Sequence, residues 1–213
     1  MILGMENVIL GEGVVERVAA ATTARRGADY TDEVRRLLTA ALEVMRRCGT
    51  TSRPRVADIV AAAGLSNDAF YRHFRSKEAL VEALIEDGTE RLRGYLSHQM
   101  AKETDPAAQV RRWIDGVMAQ AEPEVAATTL AVLSNGSSSP NAAGRHFASA
   151  PLAPLLSAPF AALGSPDPDF AASLAAHAVL GKLSEYLWQQ TAATVEQREA
   201  MARFCIAAAK VAP

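Results

Sequence analysis

A chain of 213 residues with 49% hydrophobic and 6% aromatic side chains can bury a sizeable core, which excludes a disordered polypeptide and fits an alanine-rich helical protein of one large or two small domains. Two distant cysteines, Cys48 and Cys205, lack metal-ligand or redox spacing, so a disulfide framework is excluded and each reads as a small buried hydrophobe in a reducing cytoplasm. The net charge of −2 is unevenly divided: Arg25 to Lys77 holds 11 Lys or Arg against 6 Asp or Glu, and the rest of the chain holds 11 against 18. Positive charge is thus gathered in one segment, as contact with a phosphate backbone requires, although a solvated basic helix face would look the same.

Residues 1–29 have no strong period and are expected as a mobile tail, although Val14 to Ala21 could form a short helix, with Arg25 and Arg26 available as an arm toward a minor groove or simply solvated. No basic start precedes an apolar block, and no window reaches membrane-spanning length, so a secreted or membrane protein is not expected. Thr31 reads as the cap of a first helix, with Val34, Leu37, Leu38, Ala41, Leu42 and Met45 at core spacing, ending near Gly49.

Val56, Ile59, Val60 and Ala63 then recur at helical spacing, and Gly64 closes that short helix in the left-handed conformation, with Leu65 folding back. Ser66 is placed to cap a second helix, with Asp68 in its first turn. Phe70 and Phe74 form its buried edge, while Asn67, Tyr71 and Arg72 project outward. Ser76 caps a longer helix beginning at Lys77. Two helices around a short glycine turn are the helix-turn-helix pattern, whose second helix enters the major groove.

The run AAAGLSNDAFYRHFRSKEAL, within a match from about Thr31 to Leu84, resembles the signature of the tetracycline-repressor (TetR) family of bacterial transcription regulators. The resemblance implies an all-α fold, with a three-helix helix-turn-helix headpiece (residues 30–76) and a larger helical ligand-binding and dimerisation domain (residues 77–213). It further implies that Tyr71, His73 and Lys77 hold phosphates and that Asn67 and Ala69 approach bases; Ser66, Asp68 and Arg72, with Arg53 and Arg55 from the preceding link, complete the candidate DNA-binding set. Two departures stand out. Asp68 sits where the family commonly has glycine, and its carboxylate either accepts from a base amine such as cytosine N4 or repels phosphate. The link from Gly49 to Pro54 is also about one residue longer than usual, which weakens the assignment of Arg53 and Arg55.

The helix from Ser76 is expected to run to about Met100, roughly 35 Å at 1.5 Å per residue. Pro106 starts another, and Pro123 punctuates before Val125 to Leu133. NGSSSPN, at 135–141, reads as a loop, and Pro151, Pro154 and Pro159 predict a segmented helix over 142–163. Asp169 to Gln190 predicts a long helix with two apolar stripes: Ala176, Leu180, Leu183 and Leu187 on one, and Phe170, Leu174, His177, Gly181 and Trp188 on the other. Val195 to Val211 adds Met201, Phe204, Cys205 and Ala208. The last two helices can pair with a second copy as a four-helix bundle, with Leu180, Leu183, Leu187, Met201 and Phe204 at the interface; an intramolecular hairpin is the alternative.

Trp113, Met118, Phe147, Phe160, His177 and Tyr186 are candidate contacts for a small, largely apolar effector, with Trp188, His146 and Gln120 nearby, although each aromatic also fits as plain core. No HExxH, GxxxxGK[ST] or GxSxG occurs, so no catalytic, cofactor or metal site is expected. The reading is a cytoplasmic homodimeric regulator of a near-palindromic double-stranded DNA operator, released by its effector. An activator of the same family, or a helical interaction module that has lost DNA binding, stays open.

Overall fold

In the computed structural model, residues 12–135 and 150–209 are described, with side chains from residue 29 onward. The first helix, α1 (Glu12–Cys48), runs through the expected cap at Thr31. Residues 12–29, expected as a tail, are therefore largely helical, and the reason is compositional. Alanines with interspersed Glu and Arg carry the helix, no proline interrupts it, Gly13 falls at its very start, and the cost of Gly27 in its interior is only about 1 kcal/mol. His146 and Phe147, and most of the expected 135–141 loop, lie outside the described residues.

The cap signals at Gly64, Ser66 and Ser76 act as the sequence predicts. α2 (Val56–Ala63) ends at Gly64, φ 63°, and the Leu65 N–H returns to the Val60 carbonyl at 2.9 Å, the bond that closes a left-handed helix end. Arg36 on α1 adds a second closure, donating to the Ala63 carbonyl at 2.6 and 3.1 Å and to the Gly64 carbonyl at 3.1 Å. Ser66 Oγ accepts from Ala69 N–H at the start of α3 (Asn67–His73), and Ser76 Oγ from Ala79 N–H at the start of α4 (Lys77–Met100). Leu37, Ala41, Met45, Ile59, Phe70 and Phe74 pack under these helices, joined by Leu80, Val81 and Leu84 of α4 and by Ala131 and Val132 from further along the chain.

The body is built on α4, α5 (Pro106–Met118), α6 (Pro123–Asn135), α7 (Pro154–Ala162), α8 (Pro168–Gln189) and α9 (Val195–Ala208), with a short 3-10 turn at Ala119–Ala121. Asp105, Asp167 and Thr194 cap α5, α8 and α9 through their side-chain oxygens. α5 lies close on α4 because residue 116 is glycine: a Cβ there would sit 2.4 Å from Leu96 Cδ2. Pro159 lies inside α7, in line with the segmented helix predicted there. Arg111 on α5 pairs with Glu199 on α9 at 3.1 Å, and Arg198 with Glu122, so α9 is tied to the α5–α6 side of the bundle. No helix among the described residues is long and apolar enough to cross a membrane.

Burial separates the two cysteines. Cys205 is buried, and desolvation pushes its thiol up to about 11, whereas Cys48 is half-buried. At pH 8, a thiol reagent is expected to label Cys48 in the native protein and Cys205 only after denaturation, as peptide mapping would show. Equal labelling of both in the folded state would contradict this packing.

Candidate nucleic-acid interface and ligand cleft

Capping by Ser66 fixes the entry of α3, and the burial of Phe70 fixes its rotation, so Asn67, Asp68, Tyr71 and Arg72 face outward. Tyr71 is 58% exposed, its ring edge-on to Phe70. Ala69 is not on this face: it is 4% exposed, inside the headpiece, and has no surface to offer a base. Asp68 is exposed in the first turn of α3, where the helix dipole favours a carboxylate.

The far end of α3 departs more from expectation. His73 is half-buried, with Nε2 2.7 Å from Glu33 Oε2 on α1; since a carboxylate only accepts, Nε2 carries the proton. Arg72 reaches the same carboxylate at 3.1 and 3.3 Å. Tyr30, one turn earlier on α1, lies edge-on to the His73 ring at 5.6 Å and under the Arg72 guanidinium at 5.7 Å. The hydrogen bond from His73, followed by the charge of Arg72, holds the Glu33 carboxyl below its usual range. His73 is therefore engaged within the protein rather than presented to phosphate. Glu33 and Tyr30 were not found in the sequence because they meet α3 from some 40 residues away.

Around this face the cations differ in freedom. Lys77 is half-buried, its Nζ 3.4 Å from the Pro54 carbonyl. Arg53 is exposed, while Arg55 is occupied with Asp58, whose carboxylate also accepts from the Arg55 backbone N–H at 2.9 Å and so caps α2. The exposed set that remains is Asn67, Asp68, Tyr71 and Arg53, with Lys77 at its edge.

A cleft of about 420 Å³ opens where α1, α4 and α6 meet. Leu42, Ile85, Leu92, Val132, Leu133, Leu152 and Leu180 make its walls apolar, and Thr89, Arg91, Tyr95, Gln120, Thr128 and Thr129 supply polar groups. Among the described residues no carboxylate lines it, and Arg91 is paired with Asp87 at 2.6 Å. None of the described candidate contacts is among these residues except Gln120. Trp113, Met118 and Phe160 are fully buried core, and the Trp113 indole N–H donates to the Leu152 carbonyl at 3.2 Å. Tyr186 is buried beside Lys182, and His177 is exposed on α8 with Nδ1 2.7 Å from the Ser173 carbonyl. Large aromatics fill volume best and were drawn into the core, leaving threonines and leucines around the cleft.

The two stripes of α8 are resolved in the opposite sense to that expected. Leu180, Leu183 and Leu187 are at most 3% exposed within their own chain, so they have no area left for a partner. Phe170, Leu174, Gly181 and Trp188 form the exposed stripe, and Phe204 of α9 is 61% exposed; Met201 is half-buried against the core. Exposed large apolar side chains thus lie on both α8 and α9.

Residues 37–84 match the profile of the bacterial regulatory proteins of the tetR family. No curated protein matches the sequence. In fold, the chain is similar to RolR crystallised with its ligand resorcinol, with a TM-score of 0.60 and 17% identity over 85% of this chain and 89% of that one. It is also similar to a putative TetR-family regulator from Mesorhizobium loti (0.55, 18% identity, 84% and 94% covered) and to a TetR-family regulator from Pectobacterium atrosepticum (0.52, 23% identity, 85% and 92% covered).

Proposed function

From the match of its headpiece to the tetR-family profile and its likeness in fold to such regulators, we propose that the chain is a TetR-family transcriptional regulator that represses by binding a near-palindromic operator as a homodimer, releasing it when a small, largely apolar molecule fills the cleft. The observation that carries the reading is the capped α3, which turns Asn67, Asp68 and Tyr71 outward beside Lys77. A single headpiece reads too few base pairs to select one site, so two headpieces related by a two-fold axis are needed, with half-sites about one DNA turn apart. The exposed stripe of α8 with Phe204 is the surface that would pair the copies.

The ligand half of the proposal is supported by the cleft's size, which lies in the range of small-molecule pockets, and by its mixture of apolar walls and hydroxyls. RolR, similar in fold, carries resorcinol. Leu42 belongs to α1 and Ile85 to Tyr95 to α4, so an occupant would touch both helices that hold the headpiece. An occupant favouring the DNA-incompetent arrangement by about 1–3 kcal/mol would lower operator affinity roughly 5–150-fold.

A fluorescence-anisotropy titration against the DNA upstream of the gene tests the reading. Selective binding that weakens with salt is expected; Lys77→Ala should weaken all sequences alike and flatten the salt dependence by about one unit of slope, and Asn67→Ala should relax preference at one position. A Lys77→Ala protein with unchanged affinity and slope would overturn this docking. Absence of any salt-sensitive binding would favour the second reading, a helical interaction module. That reading draws support from Asp68 on the exposed face and from the pairing of Arg55 and Arg72 with carboxylates.

A further inference from the structure

A carboxylate is an unexpected neighbour for the last turn of a helix that meets DNA. Glu33 stands 2.7 Å from His73 Nε2 and 3.1 Å from Arg72 Nη2, and its own side chain is 22% exposed, so it is held against these two groups rather than waving in solvent. Tyr30 covers the same pair from one turn away on α1. Asp32 is paired with Arg35 and so does not compete for Arg72, and Arg36 is spent on the C-terminus of α2 and so does not compete for Glu33.

We propose that Glu33 is an affinity brake: it occupies Arg72 and His73, removes their contribution to phosphate binding, and so lowers the affinity of the headpiece for DNA of any sequence. This rests on the DNA-binding reading of α3. Non-specific affinity is set by the number of phosphates a protein neutralises, whereas selectivity comes from groups that reach base edges. Cancelling one cation at the flank of α3 reduces the first and leaves Asn67 and Asp68, at the opposite end of the helix, to supply the second. The headpiece then binds specific and background DNA alike more weakly, and its selectivity is left to the groups that reach base edges.

The test compares wild type, E33Q, R72A and E33Q/R72A by fluorescence anisotropy on the upstream DNA and on a scrambled duplex, over a range of KCl concentrations, with thermal melts of each protein. The neutral amide keeps the size of the side chain while deleting its charge. E33Q is expected to bind the scrambled duplex on the order of fivefold to tenfold more tightly near 0.1 M salt and to steepen the salt slope by about 0.9. R72A alone should leave the wild-type slope unchanged, and E33Q/R72A should return to it. If Glu33 only props α3 in place, E33Q instead melts earlier and binds both duplexes more weakly with no steeper slope, which overturns the brake. A slope that falls by about one unit in R72A also overturns it, since Arg72 would then already hold a phosphate, and this arm stands even if E33Q fails to fold. Wild-type protein that binds neither duplex at any salt removes the DNA-binding reading itself and the brake with it.

Discussion

Replacing Trp113 with alanine is expected to cost about 3–5 kcal/mol of folding stability, the range for truncating a buried Trp or Phe. Trp113 has no exposed surface and is the largest side chain buried to that degree. It sits on α5 between α4 and the segment that leads into α7, and its indole N–H is bound to the Leu152 carbonyl. Truncation opens a cavity and removes one of the two hydrogen bonds that carbonyl accepts, the other coming from Leu155 N–H at 3.3 Å, a loss of about 0.5–1.5 kcal/mol on its own. Trp113→Phe separates the two effects: it retains most of the volume and loses only the hydrogen bond, so it should fall well short of the alanine variant. Urea denaturation followed by circular dichroism measures both. With domain stabilities of about 5–15 kcal/mol, the alanine variant would be near its unfolding threshold. Because Leu152 also lines the cleft, any ligand-induced rise in melting temperature should vanish with it. A loss below about 1 kcal/mol for Trp113→Ala would be incompatible with the core described here.

The second large effect concerns assembly. Phe204→Glu is expected to give a folded monomer with operator affinity reduced on the order of a hundredfold or more, because one headpiece loses the effective concentration that linkage to another supplies. Phe204 is 61% exposed, so the charge costs the isolated subunit little, within about 0.5 kcal/mol for a surface site. At an interface the same carboxylate would be stripped of water opposite its own symmetry mate. Leu174→Glu, on the exposed stripe of α8, should behave alike, while Leu183→Glu, fully buried, should unfold the chain. Sedimentation equilibrium with melting curves distinguishes these outcomes. A Phe204→Glu, Leu174→Glu double variant that remains dimeric would place the pairing surface elsewhere.

How far the sequence could be read depended on the distance over which each signal acts. Ser66, Gly64 and Ser76 act within a turn or two, and each performs in the structure the role its type implied. The start of α1 was missed because Thr31 resembles a cap whether or not the helix continues behind it, and alanine-rich residues with weak periodicity give little sign of where a helix begins. On α8 both apolar stripes were visible, but which of them turns inward is decided by α5, α7 and α9, and helical spacing alone is silent about neighbours. The cleft was illegible for a related reason: Tyr95, Thr128 and Thr129 look like ordinary surface positions until α1, α4 and α6 converge on them. Glu33 belongs to the same class, since only the fold brings it to His73.

The core beneath α1 to α3 includes Leu80, Val81 and Leu84 from α4 and Ala131 and Val132 from α6. The headpiece is therefore not a detachable cartridge. A fragment ending at residue 76 would lack five of the side chains that close its interior. A chimera carrying these headpiece helices on another regulator's body would fold well only if the recipient presented small and β-branched residues in place of Ala131 and Val132. Exchange of binding specificity among such proteins is thus expected to succeed by changing the outward residues of α3 rather than by moving the whole headpiece.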